Sequence, residues 1–163
     1  MQTQCYSMNL MEQFKLIYNT NKLCQENFVS CKVSVYKSDE LNAYVDYQNN
    51  LKFSSSILQK LSYQEVMSVA YHEVAHLVLN HPQFFRTNKR YLRQSKLYYE
   101  TRRQSELEAD RQASYLMCID NFDNQLDLTL QKIKPKSLWD KQSNSHPSIT
   151  ERVKRIQEYK CTK

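Results

Sequence analysis

The stretch 71-YHEVAHLVLNH-81 of this 163-residue chain sets three histidines and a glutamate within eleven residues. Within it, His72-Glu73-Val74-Ala75-His76 is a His-Glu-x-x-His pentapeptide. On a helix turning about 100° per residue, His76 lies about 40° from His72, and Glu73 lies about 100° from His72 and about 60° from His76. All three face one way. Two neutral imidazoles one turn apart can supply two of three protein ligands to a Zn2+ ion, one per chain, leaving a fourth position for water. Glu73 then stands where it can take a proton from that water, whose pKa zinc lowers towards about 7. The same five residues also suit an ordinary buried helix with two core histidines, so a third ligand has to decide.

The candidate is in 105-SELEADRQAS-114. Taking Glu106 as reference, Ala109, Asp110, Ala113 and Met117 fall within about 60° of it on a helix, whereas Glu108 is about 160° away. Glu106 and Asp110 thus share a face of small and apolar residues, where carboxylates are costly unless paired or bound to metal. Glu106 is assigned as third ligand, and Asp110 as an acceptor that fixes the tautomer of a ligand histidine. A further element is 146-HPSITERVKRI-156, where Pro147 suits the first turn of a helix. That puts His146 just before the helix and Arg152 on it, among Ile149, Val153 and Ile156. Taken alone, this element reads as a loop histidine and a solvent-facing arginine.

The elements that must position these groups are legible as changes of period. Ser62 with Glu65 three residues later makes a capping-box pattern that opens the helix of His72, Glu73 and His76. That helix should run to about Asn80 and end before Pro82. Its Val66, Met67, Ala70, Val74, Leu77 and Val78 are apolar, so it should be buried, with one polar stripe holding both histidines and the glutamate. Before it, 29-VSCKVSVYK-37 alternates as a half-buried strand. Runs at 43–47 and 51–54 read as two more strands meeting at an Asn-Asn turn. Helices are expected at 7–28 (one or two), 55–61, 91–120 (with a break), 123–133 and 147–159. The fold class is α+β: a mostly helical single domain over 1–163, with a small antiparallel sheet of about three strands preceding the helix that carries the histidines.

Composition excludes several function classes. With 23 Lys+Arg against 17 Asp+Glu the net charge is +6, too mild to argue for nucleic acid, and no nucleic-acid recognition motif accompanies it. Glycine is absent, which rules out Gly-rich phosphate loops and leaves positive-φ turns to residues such as Asn and Asp. The five cysteines (Cys5, Cys24, Cys31, Cys118, Cys161) are odd in number and never form a Cys-x-x-Cys pair, so they read as reduced thiols. No basic-then-apolar leader opens the chain, and no run of 18 apolar residues occurs. A soluble, cytoplasmic protein is expected. The run 86-RTNKRYLRQSKLYYETRR-103 holds seven Lys/Arg and reads as a solvated face; its functional reading is a docking surface for an acidic partner or a membrane surface.

Together, HEVAH (72–76), ELEAD (106–110) and HPSITER (146–152), with Asn42-Ala43 ahead of them, resemble the M48 family of zinc metallopeptidases in the order of their motifs. The resemblance covers roughly residues 30–157 and implies a zincin-like fold. It implies zinc ligation by His72, His76 and Glu106, a general base at Glu73, and an orienting role for Asp110. It further implies that His146 stands at the rim of the site, able to contact substrate or oxyanion, with Arg152 anchoring that segment. Relatives lay an extended peptide against a sheet edge, which makes the strand of Asn42, Ala43, Tyr44 and Val45 the candidate substrate-binding edge. The activity implied is endopeptidase cleavage of unfolded or flexible polypeptides. The alternative is an inactive zinc-binding adaptor that binds polypeptide without cutting it, against which the intact Glu73 argues.

Overall fold

A computed structural model describes residues 7–92, 96–134, 136–143, 145–159 and 161. Part of the basic run, 93–95, and Cys5 lie outside them. Among the described residues helices dominate: α1 (Leu10–Glu26), α2 (Ser55–Lys60), α3 (Tyr63–Val78), α4 (His81–Leu92), α5 (Lys96–Ile119), α6 (Leu126–Ile133) and α7 (Ile149–Glu158). The strands are β1 (Lys32–Tyr36), β2 (Ala43–Val45) and β3 (Asn50–Ser54). The chain has the expected α+β fold, mostly helical with a small three-stranded sheet. No helix among the described residues is long and apolar enough to cross a membrane.

The sheet order is β1-β3-β2, and here the pairing differs from the antiparallel expectation. β2 and β3 form the antiparallel hairpin, with Tyr44 opposite Lys52, but β1 runs parallel to β3, with Val33 opposite Leu51. Alternation marks a strand and its buried face but is silent on its neighbour. β3 carries the most apolar inward residues, Leu51 and Phe53, both fully buried, and so takes the centre. With the hairpin occupying one edge of β3, β1 is left the other. The hairpin turn is closed by Asp46, whose carboxylate accepts the backbone N–H groups of Gln48 and Asn50, while Asn49 takes φ 61°.

Among the described residues four adopt positive φ, and three of them are asparagines: Asn49, Asn80 and Asn121, with Phe28 the fourth. In a glycine-free chain the Asn side chain is the usual replacement at such turns. Asn80 separates α3 from α4, so the expected end of the active helix is confirmed to within two residues, but Pro82 does not terminate anything. It sits in the first turn of α4, where its missing N–H costs no bond.

Ser62 and Glu65 form the anticipated capping box, each side chain bonding the other's backbone N–H. From there α3 is almost wholly buried, Val66, Ala70, Val74 and Ala75 to 0% exposure. It runs through the middle of the molecule, packed by α5 on one side and by α1, α6 and β2 on others. The two helices that carry acidic and histidine side chains therefore meet along a dry seam.

The cysteines correct the expectation of reduced thiols. Cys24 is bonded to Cys31, tying the end of α1 to the start of β1, and Cys118 is bonded to Cys161, tying α5 to the segment after α7. Each pair is created by a chain reversal, at Phe28 in the first case and over 43 residues in the second, which spacing alone does not reveal. Reducing or removing the Cys118–Cys161 bond, which closes a loop of 43 residues, should lower stability by about 4 kcal/mol through the regained freedom of the unfolded chain. Denaturant unfolding of Cys118→Ser/Cys161→Ser beside the parent chain measures this.

Candidate metal centre

The buried faces of α3 and α5 bring together the residues singled out in the sequence. His72 and His76 present their Nε2 atoms to each other at 3.1 Å. Glu106 closes the triangle, with Oε2 3.4 Å from His72 Nε2 and Oε1 3.5 Å from His76 Nε2. Tetrahedral coordination at Zn–N of about 2.05 Å requires donor atoms about 3.3 Å apart. The His72–His76 separation and the nearest Glu106 oxygen to each ring lie close to that edge; the two Glu106 contacts use different oxygens, and with one ligand atom from each residue the set lies within 4.8 Å. These three residues form a group able to hold a metal ion.

Around the triangle each charge is buried and partnered. His72 Nδ1 donates to Asp110 Oδ1 at 2.9 Å. Arg152, on α7, donates from Nε and Nη2 to the two Asp110 oxygens, both at 2.7 Å, and its Nη1 lies 3.6 Å from Glu106 Oε2. Arg152 is thus a buried clamp, and the solvent-facing reading of it alone is corrected. Burial raises the cost of ionising Asp110, but the Arg152 guanidinium and His72 hold its carboxyl below the usual range. Burial opposes the Glu106 carboxylate too; His76, His72 and Arg152 nevertheless keep it well below its ordinary value. The two imidazoles diverge: burial pushes His76 down to about 3, whereas Asp110 and Glu106 overcome burial at His72 and raise it to about 10.

Glu73 is the exception. Its side chain is buried in the same seam, its carboxyl pushed up to about 7 by burial, and it accepts a hydrogen bond from the Val45 N–H of β2. It has neither an arginine clamp nor a paired lysine. His146 stands at the rim, with its side chain 44% exposed and Nε2 3.9 Å from Glu106 Oε1; Ser145 Oγ holds its Nδ1 at 2.8 Å. A hollow of about 420 Å³ opens over the centre, walled by Asn42, Ala43, Tyr44 and Val45 on one side and by His146 on another. A narrower one of about 200 Å³ runs beneath Ala43 among Ile57, Val69, Leu130 and Ile149.

The model of peptidase family M48 matches residues 21–99. The match supports membership of that family. The matched stretch takes in the sheet and α3 with His72, Glu73 and His76, and it stops short of Glu106, Asp110, His146 and Arg152. Those four are joined to the centre by geometry alone. No curated protein and no solved structure matches the chain. The match supports a peptidase-type enzyme at the level of the family, whose class of substrate is polypeptide.

One residue beside the centre escaped the sequence reading. His81, the first residue of α4, is buried and brings Nδ1 to 2.9 Å from His76 Nδ1, while its Nε2 lies 3.3 Å from Glu108 Oε2. Glu108 does point away from the triangle, as its position about 160° round the helix from Glu106 requires. The available signal was a fourth histidine nine residues after the first, but helical periodicity ends at Asn80 and says nothing across a turn.

Proposed function

We propose that this chain is a zinc-dependent endopeptidase that hydrolyses peptide bonds of unfolded or flexible polypeptides, with Glu73 as general base. The observation that carries the proposal is the meeting of His72, His76 and Glu106, one ligand atom from each within 4.8 Å of the others, beside the unclamped carboxyl of Glu73. Zinc bound there would supply Lewis acidity, making water acidic enough to attack near neutral pH and polarising the scissile carbonyl. Glu73 accepts the proton of the attacking water at its carboxylate and returns it to the leaving amine. His146, at the rim, donates from Nε2 to the developing oxyanion. Asp110 holds the proton on His72 Nδ1, and Arg152 fixes Asp110.

Substrate is held as an added strand at β2, an edge of the sheet. Ser54 N–H donates to Asn42 O and Asp46 N–H to Asn50 O, so alternation assigns the Tyr44 amide to the sheet and turns the Ala43 and Val45 amides away from it, the Val45 N–H towards Glu73 and the Ala43 N–H to the open side. Ala43→Pro removes an outward donor at the first residue of the strand, where proline is tolerated. It should raise KM about tenfold with the fold kept; Tyr44→Pro should instead destabilise the sheet. An unchanged KM in Ala43→Pro would remove edge pairing from the mechanism.

The disulfides favour an oxidising working compartment over the cytoplasm expected from the sequence. The basic face of 86–103, with Arg86 and Lys89 exposed on α4, is proposed as the contact for an acidic partner or membrane surface. The function is tested by metal analysis of the purified chain, then cleavage of an unstructured protein with and without a chelator. Chelator-sensitive cleavage is expected. Stoichiometric zinc without cleavage would move the chain to the adaptor class.

A further inference from the structure

His72 and His76 play the same part in the donor triangle, yet what lies behind them differs. Behind His72 stands a buried carboxylate, Asp110. Behind His76 stands another imidazole, His81, and only behind that a carboxylate, Glu108, whose side chain is 51% exposed. The turn at Asn80, with φ 57°, brings this about by folding the start of α4 back over the end of α3. The two rings meet edge to face with centroids 5.0 Å apart.

With both rings neutral, as metal ligation by His76 requires of that ring, one arrangement satisfies every group. Two ring nitrogens 2.9 Å apart share one hydrogen, so one Nδ1 donates and the other accepts. If His81 donated, its Nε2 would present a lone pair to the Glu108 carboxylate at 3.3 Å, and the His76 proton would sit on Nε2, inside the donor triangle. If His76 donates, every group is satisfied. His81 Nδ1 accepts, its Nε2–H donates to Glu108, and the His76 Nε2 lone pair faces His72 and Glu106.

We propose that His81, backed by Glu108, is the positioning residue for His76: it holds the proton on Nδ1 and thereby aims the Nε2 lone pair at the metal position. This rests on the reading of His72, His76 and Glu106 as metal ligands. Glu106 and Glu108, two residues apart and on different faces of α5, then serve one centre at different depths. Glu106 reaches the triangle itself, and Glu108 reaches the ring that orients one of its corners. Partners behind a ligand histidine typically change metal affinity by about 10- to 100-fold when removed, because the ring must then be ordered as the metal binds.

The test uses the full chain and Zn2+, with affinity read by chelator competition and ring protonation read by long-range 1H–15N correlation NMR. His81→Ala should weaken zinc binding by about 10- to 100-fold. His81→Asn, whose Oδ1 replaces the Nδ1 acceptor, should recover most of that loss, which a merely structural role for the ring would not do. The parent chain should show His76 protonated on Nδ1 and His81 on Nε2. Glu108→Ala, at a half-exposed position that tolerates truncation, should cost a few-fold and shift the His81 signals; it carries the test if His81→Ala fails to fold. Unchanged affinity in His81→Ala, or a His81 ring protonated on Nδ1 in the parent, overturns the proposal. If the parent chain binds no zinc, the metal reading falls by itself, and NMR of the metal-free chain still decides which nitrogen carries the shared proton.

Discussion

Glu73→Gln should leave zinc content and fold unchanged and cut peptide hydrolysis by about 10²- to 10⁴-fold, the usual share of a general base. The substitution keeps the shape of the side chain and an oxygen able to accept the Val45 N–H, but the amide cannot take a proton from attacking water. The parent carboxyl is poised for that task. Burial pushes it up to about 7, so it accepts a proton more readily than an exposed glutamate, and no guanidinium pins it as a carboxylate. Activity requires the deprotonated form, and protonation grows as pH falls, so kcat/KM should decline on the acid side. A bound cation favours the carboxylate, which places that decline below pH 7. Residual turnover above about a tenth of the parent's would move the base to another group, with His146 at the rim the next to test.

The parts of the fold that follow local rules were legible, and the parts that depend on meeting a distant segment were not. Ser62 and Glu65 announce the start of α3 because a capping box is complete within four residues. The strands at 32–36, 43–45 and 50–54 announce themselves by alternation, the first two within the expected ranges and the third starting one residue before its own. The parallel pairing of β1 with β3 depends instead on which strand is most apolar and on the hairpin already filling one side. Cys118 meets Cys161 only after α6 and α7 have packed back on α5. Pro82 was read as an end because proline stops a helix it falls inside; in the first turn of α4 the same ring geometry is favourable.

The site divides in the same way. His72, Glu73 and His76 share a face by the arithmetic of a single helix, and the choice of Glu106 over Glu108 needs only the 160° between them. Asp110 follows from the same wheel. Arg152 lies on another helix 42 residues further on, and nothing in its own amphipathic pattern says that its outward face is covered by α5. His81 is closer in sequence yet harder to see, because a positive-φ asparagine intervenes and turns the chain back on itself. Groups that share one helix face could be found from period; Arg152 and His81 lay across a helix pair and a turn.

Glu106→Gln should weaken zinc binding by about 10²- to 10³-fold. Apparent zinc affinities of complete four-ligand protein sites amount to about 10–16 kcal/mol, so one ligand carries a quarter, about 2.5–4 kcal/mol, equivalent to that factor. The substitution replaces an anionic donor by a neutral amide that zinc rarely accepts, and Arg152 retains both oxygens of Asp110, so the fold should survive. Glu108→Gln is the matched control. It alters the same helix by the same one charge but keeps an oxygen to accept from His81, and its affinity should stay within about threefold of the parent's. Zinc must also displace a proton from His72, whose pKa is raised to about 10 by Asp110 and Glu106 against burial. Affinity should therefore tighten as pH rises from 6 to 8, and removing the Glu106 charge should make that dependence shallower. Equal losses in the Glu106 and Glu108 variants, with equal pH slopes, would dissolve the distinction between the two carboxylates and with it the assignment of Glu106 as third ligand.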